Sequence, residues 1–247
     1  MAVKLRDAVV VVGERRVDAA EVAIRHGAEV IILDDGFQHR YLHRDLEILV
    51  FDSTYDLSNE LLLPVGRMRE PFCNVRRAQL VTLSHVREAS EEPPWHHLLR
   101  RWYGGSVVKF RYRSTGLRRA VDNVLIPSGT LQSREVLVFS GIGRNDHFLD
   151  SVTEAGLTVC GTMRFSDHHD YTDKDIWAIA GHMDNVGAKA CVTTEKDLIR
   201  MRAGSEPVQQ FLHDHQVFSI PVEVEMIEGA SIMHRLIDDC LEMRQKR

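Results

Sequence analysis

The chain has 247 residues, of which 44% are hydrophobic and 27% charged, and its formal net charge is −5. This length predicts one large or two small domains with a sizeable core, and the negative charge gives no general reason to expect a nucleic-acid partner. No apolar run approaches the ~18 residues that a membrane span needs, and four widely spaced cysteines without CxxC spacing argue against a cysteine metal cluster.

The first part of the chain consists of apolar runs and one helical pattern. Continuous Val, Ile and Leu runs predict buried strands at 8–12, 29–33, 46–52 and 76–84. A helix is predicted between the first two runs, with Gly27 as its stop signal. Such strands alternating with helices favour a parallel sheet covered on both faces. Residues 88–97 are the best candidate for a linker.

The middle of the chain changes pattern before the alternation of strands and helices resumes. Residues 106–127 alternate apolar and polar side chains, which predicts a two-stranded antiparallel ribbon. Beyond it, Asn145 is the expected N-cap of one helix, and Thr172-x-x-Asp175 resembles a capping box at the start of another. Further strands are predicted within 135–143, 157–165, 188–192 and 216–224, and a closing helix within 229–243. The predicted domains are 1–104 and 133–247, with a linker region at 105–132.

Acidic residues follow two of the predicted strands. Asp34 and Asp35 come directly after one strand, and Asp52 ends the next. Ligands of open α/β sheets bind at the carboxyl ends of the strands, where a carboxylate beside phosphates commonly holds Mg²⁺. Asp-Asp-Gly is also a common turn, so the pattern alone leaves both interpretations open. The polar side chains of Gln38 and His39 nearby favour a binding site.

A second polar cluster, Asp167 to Asp170, lies between a predicted strand and a predicted helix. A histidine beside an aspartate, such as His168, suits general acid–base chemistry or a phosphate contact. Metal binding by His168 and His169 and a solvated capping loop are the alternatives.

Three further loops carry residues suited to a ligand site. Arg67 and Arg69 lie in a loop flanked by prolines, where two guanidinium groups suit a phosphate or a sugar-phosphate headgroup. The segment "SGIG" allows close backbone approach, and "TTEKD" follows a predicted strand.

Five segments, in this order, resemble the tetraacyldisaccharide 4'-kinases of lipid A biosynthesis: "DDGFQHRYLHRDLEILVFD", "LLPVGRMREP", "FSGIG", "RFSDHHDYT" and "TTEKD". The resemblance implies α/β architecture, with a P-loop-kinase-like α/β/α domain and a second α/β/α domain joined by a two-stranded ribbon and an active site in the cleft between them. It also implies phosphoryl transfer from ATP to the 4'-hydroxyl of the lipid A disaccharide 1-phosphate, with Mg²⁺, by a peripheral protein at the cytoplasmic face of the bacterial inner membrane.

The resemblance also implies roles for individual residues. Asp34 and Asp35 match an acidic pair that holds Mg²⁺, and Gln38 and His39 match polar residues beside the triphosphate of ATP. His168, preceded by Asp167, matches the histidine that cooperates with a catalytic aspartate to activate the sugar hydroxyl. Arg67 and Arg69 are the candidates for binding the acceptor.

One element that the family normally carries has no counterpart in these 247 residues. No GxxxxGK[ST] motif occurs in them, so the P-loop lysine, the Mg²⁺-binding hydroxyl and the catalytic aspartate are not matched. Because phosphoryl transfer depends on such positioning and charge neutralisation, we expect an incomplete P-loop-like domain and little or no kinase activity from this chain alone. A shortened gene product, a mis-assigned start and half of a split enzyme are the explanations left open.

Two other classes of function compete with a kinase. One is a non-catalytic binding module, or remnant, that keeps only the acceptor-sugar cleft; without the family's N-terminal helix it could be soluble. The other is an unrelated α/β protein with a phosphatase-like or nucleotide-binding site, which the order of the five segments disfavours. An in-frame upstream DNA sequence encoding GxxxxGK[ST] would favour the kinase over the module.

Overall fold

The computed structural model describes residues 7–131, 135–143 and 145–245. The chain forms two compact units: unit 1 contains Met1–Arg111 and Met226–Arg247, and unit 2 contains Tyr112–Glu225. Both are built from helices and parallel strands, which confirms the predicted α/β class. No helix in the described part of the chain is long and apolar enough to cross a bilayer.

Unit 1 is organised around a four-stranded sheet. Helix α1 (Arg16–Arg25) precedes β1 (Ile48–Asp52), β2 (Leu80–Ser84), α2 (His96–Trp102) and β3 (Ser106–Ser114). Strands β1, β2 and β3 are parallel, with Ile48 opposite Leu80 and Leu80 opposite Ser106. With β10 (Val222–Glu228) from near the end of the chain, the order in the sheet is β1-β2-β3-β10, so β1 lies at one edge.

The core of unit 1 corrects the prediction of a linker at 88–97. Trp95 lies in that stretch, yet it is fully buried. Its ring centroid is 5.0 Å from that of Phe51 and 5.8 Å from that of Phe72, and its indole N–H donates to the Tyr55 carbonyl oxygen at 2.5 Å. A tryptophan with both its ring and its N–H satisfied anchors this stretch to the core.

The predictions of strands at 8–12 and 29–33 are wrong. Neither stretch is a strand in the described chain, although α1 and the left-handed Gly27 (φ 86°) follow the prediction. Val12 is 92% exposed and Ile32 is 90% exposed. Apolar composition alone does not make a strand, because a strand also needs a neighbouring backbone to satisfy its N–H and C=O groups.

Unit 2 contains a six-stranded sheet. Its strands are β4 (Leu117–Arg119), β5 (Leu125–Ile126), β6 (Glu135–Ser140), β7 (Thr158–Arg164), β8 (Ala190–Thr193) and β9 (Val217–Ser219), in the order β5-β4-β9-β8-β6-β7. Strands β9, β8, β6 and β7 are parallel, whereas β4 runs antiparallel to β5 and β9.

Helices cover both faces of the unit 2 sheet, as expected for a parallel sheet. The helices are α3 (Asn145–Glu154), α4 (Asp173–Val186), α5 (Glu195–Arg202) and α6 (Glu206–Asp214). Alternate residues of β6 point to opposite faces: Leu137 and Phe139 pack with residues of α4, α5 and α6, and Val136 and Val138 pack with residues of α3. Unit 2 is therefore a three-layer α/β/α unit.

The connection between the units differs in detail from the predicted ribbon. Residues 106–127 contribute to two sheets, because β3 pairs with β2 while β4 and β5 form a short hairpin in unit 2. The predicted strand at 216–224 is two strands, β9 and β10 (Val222–Glu228), separated at Pro221, which lacks a backbone N–H. The chain leaves unit 1 within β3 and returns within β10, which are sheet neighbours, so the closing helix α7 (Ala230–Gln245) belongs to unit 1 rather than to the second domain.

Candidate functional site

In unit 2, three polar loops meet at the carboxyl ends of β6, β7 and β8. The backbone N–H of Phe165 donates to the Ser140 carbonyl oxygen at 2.9 Å, and that of His168 donates to the Gly141 carbonyl oxygen at 3.2 Å. The N–H of Gly141 in turn donates to Oδ2 of Asp197 at 3.1 Å. The segments "SGIG", "SDHHD" and "TTEKD" are thus bonded together at one sheet edge, the place where ligands of open α/β sheets bind.

Asp197 is the centre of this arrangement. Its side chain is fully buried, and its Oδ2 also accepts from the Thr194 hydroxyl at 2.6 Å. Thr194 is the N-cap of α5 and accepts the backbone N–H of Asp197 at 3.1 Å, so the strand-to-helix turn fixes the carboxylate. Burial, together with the neighbouring Asp197 charge, raises the pKa of Tyr171 well above its usual range.

The two adjacent histidines have different surroundings. The Nε2 of His169 is 3.0 Å from Oδ2 of Asp175, and its ring stacks on Phe165 at a centroid distance of 4.8 Å. The predicted capping box of Thr172 and Asp175 is present at the start of α4. Burial would raise the pKa of Asp175, but hydrogen bonds from Thr172 and His169 outweigh it and lower that pKa. His169 therefore has a structural role.

His168, by contrast, is exposed and held in place from its backbone and its ring. It adopts a left-handed conformation (φ 61°), and its N–H lies 3.0 Å from Oδ1 of Asp167. The ring Nδ1 lies 2.8 Å from Nη2 of Arg200, and Nε2 lies 3.9 Å from Oδ2 of Asp167. Since His168 and His169 are engaged by different partners, the arrangement does not support a metal shared between their rings.

In unit 1, the acidic pair occupies a turn rather than the end of a strand, because residues 29–33 are not a strand. Asp35 has φ 53°, and a Cβ on Gly36 would lie only 2.8 Å from Cβ of Leu33, so the turn requires glycine. Oδ2 of Asp35 is 2.5 Å from Nη1 of Arg69. This ion pair joins two of the five quoted segments across 34 positions of sequence.

Glu70, which the sequence analysis did not single out, organises the same region. Its Oε2 accepts from Nδ2 of Asn74 at 2.7 Å and lies 2.9 Å from Nη2 of Arg77 and 3.5 Å from Nη2 of Arg40. The guanidinium of Arg77 also lies 4.0 Å from the ring centroid of Phe37. Glu70 was detectable as part of the quoted segment "LPVGRMREP", but nothing in the sequence indicated its partners.

The remaining predicted residues of unit 1 lie nearby in sequence but have separate surroundings. The Oε1 of Gln38 is buried without a partner among the described residues. The carbonyl oxygen of His39 accepts from Arg44. Arg67 is exposed, with its guanidinium 5.0 Å from the ring centroid of Tyr55 and its backbone N–H donating to Oε1 of Glu60 at 2.8 Å.

The acidic turn fits a magnesium ion in its donor chemistry. Asp34 and Asp35 are both exposed and offer the carboxylate oxygens that Mg²⁺ prefers. No hydrogen bond or ion pair engages the Asp34 carboxylate within the described residues, whereas Arg69 already engages Asp35. Asp34 is thus the more available ligand, and Asp35 would exchange its arginine partner for an ion or hold both.

Asp52 closes β1, as predicted, and its strand-end neighbour was missed. Oδ1 of Asp52 is 3.5 Å from Nδ1 of His85, which directly follows β2 and has φ 60°. Because parallel register brings Asp52 opposite Ser84, the next residue on β2 necessarily lies beside it. The signal was present in the sequence as a histidine one position after a predicted strand.

Comparisons with known proteins point to one family. A family model described as tetraacyldisaccharide-1-P 4'-kinase (LpxK) matches residues 1–242. The chain belongs to the tetraacyldisaccharide 4'-kinase family. It is 34% identical to the tetraacyldisaccharide 4'-kinase of Anaeromyxobacter sp. (strain K), over 98% of this chain and 64% of that protein. For the enzyme of Chlorobium phaeobacteroides (strain DSM 266 / SMG 266 / 2430) the identity is 33%, over 94% and 66%.

The fold is also similar to that of a solved family member. A crystal structure of LpxK from Aquifex aeolicus in complex with ATP matches with a TM-score of 0.66 and 30% identity, covering 92% of this chain and 62% of that one. The chain thus spans less than two thirds of the length of that protein and of the Anaeromyxobacter relative. All five quoted segments lie within the part that matches the family.

Proposed function

We propose that this chain carries the acceptor side of a tetraacyldisaccharide 4'-kinase, which transfers a phosphoryl group from ATP to the 4'-hydroxyl of the lipid A disaccharide 1-phosphate. The observation that carries this proposal is the Asp35–Arg69 ion pair at 2.5 Å. It places a candidate Mg²⁺ ligand against a candidate phosphate-binding arginine, which is the combination of charges that phosphoryl transfer uses.

In that reaction the 4'-oxygen of the acceptor forms a bond to the transferred phosphorus, ADP leaves, and the hydroxyl proton passes to a base. Asp34 and Asp35 are the proposed Mg²⁺ ligands; the ion, when bound, neutralises phosphate charge. Gln38 and His39 lie in the same polar turn region and are the proposed contacts to ATP. His168 and Asp167 are the proposed catalytic pair, and Arg67 and Arg69 the proposed acceptor contacts.

We further propose that these 247 residues alone do not hold ATP. The sequence contains no GxxxxGK[ST] motif, and such a loop supplies the backbone N–H groups and the lysine that bind phosphates. The exposed apolar stretches at 8–12 and 29–33 are consistent with a nucleotide-binding half that is not assembled. We expect ATP with Mg²⁺ to leave the melting temperature of the chain unchanged, and a clear rise on nucleotide addition would overturn this proposal.

Acceptor binding tests the other half of the proposal. If Arg67 contacts a phosphate of the acceptor, Arg67→Ala should weaken binding of the disaccharide 1-phosphate about ten-fold or more, the loss expected for one charge-assisted hydrogen bond. Arg25→Ala removes the same charge from the exposed face of α1 and should leave binding unchanged. Equal affinities for the chain and the Arg67→Ala variant would remove Arg67 from the site.

A membrane surface is the proposed partner, at the cytoplasmic face of the inner membrane. Residues 61–65 form a loop with exposed leucines and with Val65 79% exposed. Two backbone hydrogen bonds close this loop. The Leu63 N–H donates to the Met68 carbonyl oxygen at 2.9 Å, and the Met68 N–H donates to the Leu61 carbonyl oxygen at 3.1 Å. Replacing both Leu63 and Val65 with Asp should reduce flotation with anionic phospholipid vesicles, and an undiminished association would exclude this loop as the contact.

The second candidate is a non-catalytic binding module, which the absence of GxxxxGK[ST] from these residues favours. The two functions differ in the cell. A kinase component should restore growth to a bacterium depleted of its own 4'-kinase when a P-loop-bearing half of a relative is co-expressed, and His168→Ala should abolish that rescue. A module would bind the disaccharide 1-phosphate in vitro but give no rescue.

A further inference from the structure

A chain of charged contacts links a fully buried carboxylate to the exposed His168. Asp197 is 0% exposed and is fixed by the Gly141 N–H and the Thr194 hydroxyl. Its other oxygen, Oδ1, lies 3.2 Å from Nη1 of Arg200. The pair is one turn apart on α5, so the helix itself sets the spacing of the two charges.

The second terminal nitrogen of Arg200 contacts the His168 ring. Nη2 of Arg200 lies 2.8 Å from Nδ1 of His168, although 32 positions of sequence separate them. A guanidinium is planar, and anchoring one nitrogen to a rigid carboxylate limits where the other can point. The contact with the Asp197 carboxylate therefore orients the Arg200 guanidinium toward the His168 ring.

This contact has a consequence for the proton on the ring. Arginine donates hydrogen bonds and accepts none, so Nδ1 of His168 must be the acceptor. In the neutral ring the hydrogen then resides on Nε2. Nε2 lies 3.9 Å from Oδ2 of Asp167, beyond hydrogen-bond distance, and within the described residues no other hydrogen bond engages it.

The backbone of His168 is held by a hydrogen bond of its own. Its N–H points toward the Gly141 carbonyl oxygen at 3.2 Å, and the residue has φ 61°, a conformation that few non-glycine residues adopt. Gly141 is also the residue whose N–H binds Asp197. The same glycine loop thus positions both the carboxylate and the histidine backbone.

We propose that Arg200, held by Asp197, is a positioning residue that fixes the neutral His168 with its hydrogen on Nε2. This inference rests on the proposed function for its consequence: with Nδ1 occupied by Arg200, His168 donates a hydrogen bond through Nε2 to an oxygen of the acceptor.

The tautomer can be measured on the whole chain without ATP or acceptor. The chain contains 13 histidines, so in a 15N-histidine-labelled sample the His168 signals are assigned by their loss in His168→Gln. At pH about 8, above the ordinary imidazole pKa of about 6.5, Nε2 should carry the hydrogen and Nδ1 should not. The preference for this form should fall about five-fold or more in Arg200→Met, the effect of losing one hydrogen bond.

Two outcomes would overturn the proposal. One is a hydrogen on Nδ1 of His168 in the unmodified chain, in which the contact with Arg200 is intact. The other is an unchanged tautomer ratio in a folded Arg200→Met. Lys189→Met removes an equal charge from an exposed position just before β8, and it should leave the ratio unaltered.

Acceptor binding separates this inference from the function on which it rests. If Nε2 donates to the acceptor, His168→Gln keeps an N–H₂ donor at comparable reach and should bind the disaccharide 1-phosphate within about three-fold of the unmodified chain, whereas His168→Asn should lose about ten-fold. Asn tolerates positive φ well, so its loss cannot be ascribed to the backbone. Binding by neither the chain nor its variants would contradict the proposed function while leaving the tautomer result standing; binding lost equally in both variants would contradict the donor role.

Discussion

Asp197→Ala tests whether one buried carboxylate holds the unit 2 site together. The side chain is fully buried and accepts three hydrogen bonds: from the Gly141 N–H at 3.1 Å, from the Thr194 hydroxyl at 2.6 Å and from Nη1 of Arg200 at 3.2 Å. Alanine removes all three acceptor interactions and leaves the three donors in place. The loss of stability therefore measures the free-energy cost of leaving these donors without acceptors, rather than the net contribution of one hydrogen bond.

The size of the effect follows from the burial of each donor. Leaving one buried N–H unsatisfied costs about 1–3 kcal/mol, and removing one partner of a buried ion pair costs about 3–5 kcal/mol. The Arg200 side chain is 22% exposed, so water recovers part of the second cost. We expect a total loss of about 3 kcal/mol in the free energy of unfolding of unit 2.

The assay must report on unit 2 by itself. Hydrogen exchange measured by mass spectrometry over increasing urea, on peptides from β6, β7 and β8, gives the stability of that sheet separately from unit 1. Asp150→Ala makes the same chemical change at an exposed position of α3 and should alter stability by less than about 0.5 kcal/mol. A loss below about 1 kcal/mol for Asp197→Ala, or equal losses for the two variants, would refute the reasoning.

Three further predictions concern the capping box, the core and a tight loop. Thr172→Ala should lower the free energy of unfolding by about 1 kcal/mol at neutral pH. Because the pKa of Asp175 is lowered from 3.8 in the folded chain, the stabilisation by the capping box is present above pH 3.8 and is lost as pH falls through the folded-state pKa. The urea midpoints of the chain and the variant should therefore converge in acid. Ile179→Ala, at a fully buried site, should cost about 2–5 kcal/mol in urea unfolding. Gly66→Ala places a Cβ in steric overlap with the Leu61 carbonyl oxygen and should speed amide exchange throughout 61–68.

Each of these has an outcome that contradicts it. A Thr172→Ala deficit that stays constant into acid would separate the cap from the Asp175 carboxylate. A loss below about 1 kcal/mol for Ile179→Ala would mean that the α4 contact collapses around the smaller side chain. Unchanged exchange in Gly66→Ala would mean that the loop has room to move.

Most secondary structure from β1 onward was predictable because its signals are local. The capping box at Thr172 and the strand β6 both lie where turn chemistry and periodicity placed them. The errors occurred where tertiary context decides. Trp95 looked like part of a linker because prolines and acids precede it, yet its indole buries against two phenylalanines.

The polar loops after β6, β7 and β8 were recognisable in the sequence, but their contacts were not. Because these three strands are parallel neighbours, the loops that follow them lie at one edge of the sheet. That Arg200 would bond to His168, or Arg69 to Asp35, depends on helix rotation and loop path, which no residue pattern specifies. His168 and His169 look equivalent in the sequence; only the structure shows that Asp175 engages one and Arg200 the other.

The apolar stretches at 8–12 and 29–33 are not strands because they lack strand neighbours within the described part of the chain. Val192 in β8 is fully buried, while Val12 is 92% exposed, although both are valines in stretches that predict strands. The difference is that β8 has β6 on one side and β9 on the other, whereas residues 8–12 have no strand partner among the described residues. A run of β-branched residues is thus suited to burial between strands, but its burial stabilises the fold only when neighbouring strands are present. The free energy of burial is then about 25 cal/mol per Å² of apolar surface removed from water. A polypeptide that pairs with residues 8–12 and 29–33 should therefore protect their amides from hydrogen exchange and also raise the melting temperature of the chain. Protection of the amides without a rise in melting temperature would mean that the apolar surface stays in contact with water.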